Sequence, residues 1–173
     1  MIQTERLTLE PMTPAYLEST HRYASDAEHT RYMVFLPNET ISETEAFMRA
    51  AEAEWAKDAP AYWEFVVLRE GTHIGGISLY RLEGDPQAAE LGWILDRRFE
   101  GSGYATEAAR GLMAWAREKL GFTRFIAQCD GENAASARVM ERLGMTLIDR
   151  SGGRKNRSSD EEREELTYEI RLE

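Results

Sequence analysis

Apolar and polar positions alternate in some stretches of this chain and recur every three or four residues in others, and that change of period lays out the elements. Residues 3–9 alternate and predict a strand. Thr13 and Pro14 supply an N-cap and a first helical position, so a helix is expected through about Tyr23, with a short helical turn at 26–32. Ser42-Glu43-Thr44-Glu45 matches a capping box, and Phe47, Ala51 and Trp55 follow on one helical face. Then the period shortens. Tyr62–Arg69 and Thr72–Leu79 flank Glu70-Gly71, a hairpin signal, and Ala88–Leu95 gives the next strand after a turn at Gly84-Asp85-Pro86.

A helical stripe returns at Ala105, Ala108, Ala109, Leu112, Ala116 and Leu120, ending before Gly121. Strand 124–129 follows, then a helix over 133–143 capped by Asn133 and closed by Gly144, strand 145–150, and a last strand near 165–172. Between the last two lies a polar stretch containing Gly152-Gly153, the cations Arg154, Lys155 and Arg157, and acidic residues from 160 onward. It reads as a solvated hairpin connection, with a lid or partner-binding loop as the other reading.

Composition narrows the class. The chain of 173 residues suits one domain spanning 1–173, and no repeat or linker divides it. Its apolar runs are too short for a membrane span and its N-terminus lacks the order of a signal peptide, so a cytoplasmic protein with no membrane partner is expected. A single cysteine, Cys129, fits a reducing compartment and reads as a buried apolar residue of its strand. His21, His29 and His73 show no metal-ligand spacing, so no metal is expected. The net charge of −10 disfavours nucleic acid as a partner and favours cationic molecules such as amines.

The candidate chemistry centres on Arg98-Phe99-Glu100-Gly101-Ser102-Gly103, immediately before the long helix. Two glycines let a bulky anion approach backbone N–H groups, and the helix adds its first-turn donors and the positive end of its dipole. A phosphate or pyrophosphate is the expected guest. A P-loop is excluded, because no lysine follows Gly103 until Lys119, and a dinucleotide fingerprint is weakened by Thr106 where a third glycine belongs.

The same six residues resemble the Gln/Arg-x-x-Gly-x-Gly/Ala loop of the GNAT superfamily of acyl-CoA-dependent N-acyltransferases. The run from Asn133 through Ser136 to Gly144-Met145 resembles that superfamily's second motif, in the right order behind strand, loop, helix and strand. The opening Thr4-Glu5-Arg6-Leu7-Thr8-Leu9, followed by Met12-Thr13-Pro14, resembles the RimJ/RimL-type branch, and the similarity spans roughly residues 3–148.

This resemblance implies an α/β GNAT fold: a mostly antiparallel central sheet of about seven strands, splayed at the acetyl-CoA site, with helices on both faces. It implies direct attack of a primary amine on acetyl-CoA. The branch suggests a protein or peptide N-terminal α-amine as acceptor, with a small-molecule amine (polyamine, antibiotic or toxin) as the alternative, and a monomer or homodimer. A non-catalytic acyl-CoA sensor is the alternative of another class.

Site residues follow from the resemblance and from what acyl transfer requires. Amines with pKa values of ~8 to ~10.4 are mostly protonated at neutral pH, so a base is needed. The superfamily places a carboxylate on the acceptor side of the strand where this chain has Glu90. Gly92 in that strand suggests a bulge or a close backbone approach, and Trp93, Ile94 and Leu95 would then meet the pantetheine arm and offer an N–H to the thioester oxygen. Pyrophosphate would lie on N–H groups of Phe99, Gly101, Ser102, Gly103, Tyr104 and Ala105, with Arg98 adding charge. Asn133 would contact the cofactor. Ser136 would contact it or protonate the leaving thiolate, since the tyrosine some relatives carry four residues later is Met140 here.

Overall fold

The computed structural model describes residues 1–173 and contains eight strands: β1 (Ile2–Gln3), β2 (Thr8–Pro11), β3 (Tyr62–Arg69), β4 (Thr72–Arg81), β5 (Ala88–Leu95), β6 (Arg124–Asp130), β7 (Thr146–Lys155) and β8 (Glu162–Arg171). They form one sheet in the order β1-β2-β3-β4-β5-β6-β8-β7. Every pairing is antiparallel except that of β5 with β6. The helices are α1 (Leu17–Ala24), α2 (Ile41–Trp55), α3 (Tyr104–Leu120) and α4 (Ala134–Arg142).

The eighth strand comes from the N-terminus, where one strand over 3–9 is expected. The Thr4 N–H donates to the Leu7 carbonyl at 2.9 Å and the Thr4 hydroxyl accepts from the Leu7 N–H at 3.0 Å, which closes a turn at Glu5-Arg6. Glu107 holds that turn from α3, accepting from the Thr4 hydroxyl (2.6 Å) and from the Arg6 backbone and Nε (both 2.7 Å).

α3 is the central helix. Tyr104, Ala108, Ala109, Leu112, Met113 and Ala116 are buried against the sheet, in a core that also holds Phe65, Ile77, Leu91, Phe125, Cys129 and Met140. α1 and α2 cover the opposite face, where Met48 and Ala51 pack with Met12, Val66 and Leu68. The N-terminal helix begins as a 3-10 turn at Pro14–Tyr16, capped by Thr13 as expected, before α1 proper. Residues 26–32 form turns, one of them closed in helical fashion by the Thr30 N–H on the Asp26 carbonyl (3.0 Å). α2 starts earlier than the capping box at Ser42 suggests: the cap is Thr40, whose hydroxyl accepts from the Glu43 N–H, while Glu43 accepts from the Glu39 N–H.

The largest departure lies between β7 and β8. The two strands extend through the polar stretch to Lys155 and Glu162, joined by cross-strand ion pairs Arg150–Glu164 (2.9 Å) and Arg154–Glu165 (2.8 Å). Charge that suggests a solvated loop instead fastens a long hairpin. Cys129 is buried on β6, and burial pushes its thiol up to about 11. No helix is long and apolar enough to cross a membrane.

Candidate active site

The sheet opens between its only parallel strands. β5 and β6 pair from Ala88/Arg124 to Leu91/Ala127 and no further, although each strand continues. Which backbone groups of β5 face that gap follows from its other edge, where the Leu82 N–H donates to the Ala88 carbonyl (3.1 Å) and the Asp96 N–H to the Ile74 carbonyl (2.8 Å). Antiparallel pairs alternate, so residues 88, 90, 92, 94 and 96 turn their polar groups to β4. Those of Trp93 and Leu95 therefore face the gap. The expected bulge is absent, since β4 and β5 keep one register from Gly75/Leu95 to Arg81/Ala89. The glycines serve close approach instead: a Cβ on Gly75 would lie 2.3 Å from the Ile94 carbonyl oxygen, and one on Gly92 would lie 2.8 Å from Ser78 Oγ.

Beyond the gap the chain makes a 3-10 turn at Arg97–Phe99, capped by Asp96. This corrects two details of the expected cradle. The Phe99 N–H is spent on the Asp96 carbonyl at 2.9 Å, and the Arg98 guanidinium is spent on the Asp96 carboxylate (3.0 and 2.7 Å). Those side-chain bonds hold the Asp96 carboxyl below the usual carboxylate range. The N–H groups from Gly101 through Thr106 find no acceptor in the protein, so the open donors run across the loop into the first turn of α3. Gly101 and Gly103 both have φ of 80°, the left-handed region that favours glycine, and Gly103 is the residue that caps α3.

Glu90 lies on the face of β5 opposite α3, half-buried, and no protein group donates a hydrogen bond to it. Burial raises its carboxyl pKa, Glu165 adds to the rise and Arg154 opposes it. A loop between α1 and α2 roofs this face. One end is tied to the gap by His29 Nε2 on the Leu95 carbonyl (2.6 Å) and by Asp26 on Arg97 (3.0 Å). The other is tied to the β7–β8 hairpin by Arg154 on the Tyr32 carbonyl (2.8 Å), the Arg157 N–H on the Met33 carbonyl (3.1 Å) and the Arg157–Glu43 ion pair.

Comparison with known proteins places this fold. Residues 6–146 match the family described as Acetyltransferase (GNAT) domain. The chain belongs to the GNAT acetyltransferase family. Among curated GNAT relatives, the uncharacterized N-acetyltransferase YnaD of Bacillus subtilis is 30% identical over 148 residues, covering 83% of this chain and 81% of YnaD. A GNAT acetyltransferase from Bacillus anthracis superposes with a TM-score of 0.82 at 25% identity, covering 98% of this chain and 97% of that one. The Salmonella typhimurium acetyltransferase that modifies the N-terminal serine of ribosomal protein L7/L12 shares the fold, with a TM-score of 0.85 at 18% identity over 98% of this chain and 97% of its own. The reaction class of this GNAT chain is acetyl transfer from acetyl-CoA to an amine.

The second GNAT motif falls where the sequence places it. Asn133 caps α4, its Oδ1 accepting from the Ser136 N–H at 3.2 Å, and the Ser136 hydroxyl makes no hydrogen bond within the protein. Met140, at the position of the tyrosine some GNAT enzymes carry, is buried in the core.

The pairing of Glu64 with Tyr80, an aromatic that the sequence offers as a lining of the acceptor pocket, escaped the sequence reading. Glu64 on β3 is 7% exposed, and Tyr80 of β4 donates to its Oε1 at 2.6 Å. Burial pushes the Glu64 carboxyl up to about 7, against the lowering effect of the Tyr80 bond. Between an unfolded value near 4.5 and about 7, the folded chain therefore binds the extra proton, and stability falls as pH rises through that window. We expect Glu64→Gln to melt above the wild type at pH 8, by an amount on the order of a few kcal/mol, and to lose this margin at pH 4. Calorimetric melts at the two pH values check it.

Proposed function

We propose that this chain acetylates a primary amine by direct attack on acetyl-CoA, with a protein or peptide N-terminal α-amine as acceptor. The observation that carries the reading is the convergence at one gap of three features: the open N–H groups from Gly101 through Thr106, the β5 edge at Trp93 and the Leu95 N–H, where only the Leu95 carbonyl is taken, by His29, and the half-buried Glu90.

Each feature has a chemical use. The N–H run receives the pyrophosphate, with the start of α3 adding its dipole. The pantetheine arm lies along β5 past Trp93 and Leu95 like an added strand, with Ile94 and Asn133 beside it, and the Trp93 N–H supports charge developing on the thioester oxygen. Glu90 takes a proton from the attacking nitrogen, directly or through water, and its raised pKa makes it a stronger base than an exposed carboxylate. Ser136, with a free hydroxyl, donates a hydrogen bond to the leaving thiolate and relays a proton to it from solvent, taking up a water proton as it gives its own. No covalent acetyl-enzyme is required, because Cys129 is buried and its thiol is protonated.

The likeness in fold to an enzyme that modifies a ribosomal N-terminal serine supports the α-amine reading. Thiol release from acetyl-CoA, measured against N-terminal peptides, polyamines and aminoglycosides, tests it. Turnover confined to peptides with a free N-terminus is the expected result, and turnover confined to small amines overturns the choice of acceptor.

A further inference from the structure

The Tyr80–Glu64 pair has no part in the mechanism above, yet it lies on the same sheet face as Glu90. Register places Tyr80 opposite Glu90 across β4 and β5, and Glu64 opposite Ser78 across β3 and β4. Between Glu64 and the β5 edge the face carries only Ser78 and Gly92, both partly open to solvent. Glycine at 92 keeps this row low, since a Cβ there would press on Ser78 Oγ. A shallow path therefore leads from the gap to a buried carboxyl.

That carboxyl lacks a counter-ion. Its Oε1 is bonded to Tyr80, its Oε2 has no hydrogen-bond partner, and no lysine or arginine pairs with it. The titratable groups around it are Tyr62 of its own strand, Tyr80 of β4, Tyr23 of α1 and, beyond Tyr80, Glu90 of β5. From the α2 side comes Glu54, whose charge is already taken by Lys57 at 2.5 Å. All of these are neutral or anionic. Tyr62 and Tyr80 stack at 4.8 Å with an interplanar angle of 11°, and Tyr80 remains 37% exposed. A carboxylate beside aromatic rings suits an ammonium, which gains a charge-assisted hydrogen bond and contact with a ring face.

We infer that Glu64 and Tyr80 form a subsite for a second ammonium group of the acceptor: the Glu64 and Glu90 strands lie two spacings, or roughly 10 Å, apart, and an ammonium held a hydrogen-bond length inside each carboxylate leaves a shorter span between the two nitrogens. The subsite rests on the acetyltransferase reading above and narrows its acceptor to a molecule with two amines at that separation. An N-terminal lysine of a peptide or an aliphatic diamine offers this chemistry.

The test compares kcat/KM in two matched pairs, 1,6-diaminohexane against hexylamine and a lysine-first peptide against its norleucine-first counterpart, for the wild type, Glu64→Gln and Tyr80→Phe. The wild type is expected to prefer the dication by about tenfold or more in at least one pair. That preference should fade below pH 7, where Glu64 takes up a proton. In Glu64→Gln the ratio should drop to within about twofold of unity and lose its pH dependence, and Tyr80→Phe should reduce it. Preference in the peptide pair names a peptide ligand, and preference in the diamine pair a small one. Equal rates within both pairs for the wild type, or an unchanged ratio in Glu64→Gln, overturn the subsite while leaving the acetyltransferase reading intact. Failure of the wild type to acetylate any of the four amines, or any amine of the wider panel, overturns that reading and the subsite with it.

Discussion

Glu90→Gln is expected to cut turnover of an amine at pH 7 by roughly 10²- to 10⁴-fold while acetyl-CoA binds with wild-type affinity. The amide has the shape of the carboxylate without its basicity, and Glu90 sits on the face of β5 opposite α3, away from the N–H run that begins at Gly101. Burial and the nearby Glu165 raise the Glu90 carboxyl pKa. The wild-type rate should therefore fall as pH drops through a value above the ordinary carboxylate range, and that limb should vanish in the variant. Steady-state thiol release over pH 5–9, with calorimetry for acetyl-CoA, measures both quantities. Turnover equal to that of the wild type would remove Glu90 from the mechanism.

The second large effect belongs to the cradle. Gly103→Val forces a β-branched residue into φ of 80° at the cap of α3, where the strain is on the order of 1–3 kcal/mol. Relieving it turns the N–H groups of Gly103 and Tyr104 away from a common point, and a Cβ there also faces the Arg6 guanidinium at 3.6 Å. The two losses together predict at least ~100-fold weaker acetyl-CoA binding, because each misdirected donor to a charged phosphate is worth roughly 1.5–3 kcal/mol. Titration calorimetry checks it. Gly84→Ala is the matched control: that glycine also has a left-handed φ, of 82°, but lies in the turn before β5, far along the chain from the cradle, and normal binding is expected.

What the sequence made legible is what is local. The glycine loop, the apolar stripe of α3 and the Asn133 cap each lie within one turn or one helix, so spacing alone reveals them, and the structure places each where spacing puts it. Local signals misled where two of them competed. Thr40-x-x-Glu43 and Ser42-x-x-Glu45 both fit a capping box, and the structure uses the first. The extension of the β7–β8 hairpin to Lys155 and Glu162 was hidden because charged, glycine-containing sequence reads as loop unless the partner strand is known, and Arg154 finds Glu165 only through strand register. Glu64 was invisible for a related reason. In the alternation Tyr62, Glu64, Val66 it looks like a solvent-facing position, and the tyrosine that bonds it lies 16 residues away on another strand.

The burial of Cys129 has a practical side. A disulfide reagent attacks thiolates, and the only cysteine of this chain is 3% exposed with its thiol pushed up to about 11. Native protein mixed with such a reagent should stay colourless at pH 8, so every equivalent of colour formed during turnover reports one molecule of free coenzyme. The enzyme carries its own clean background.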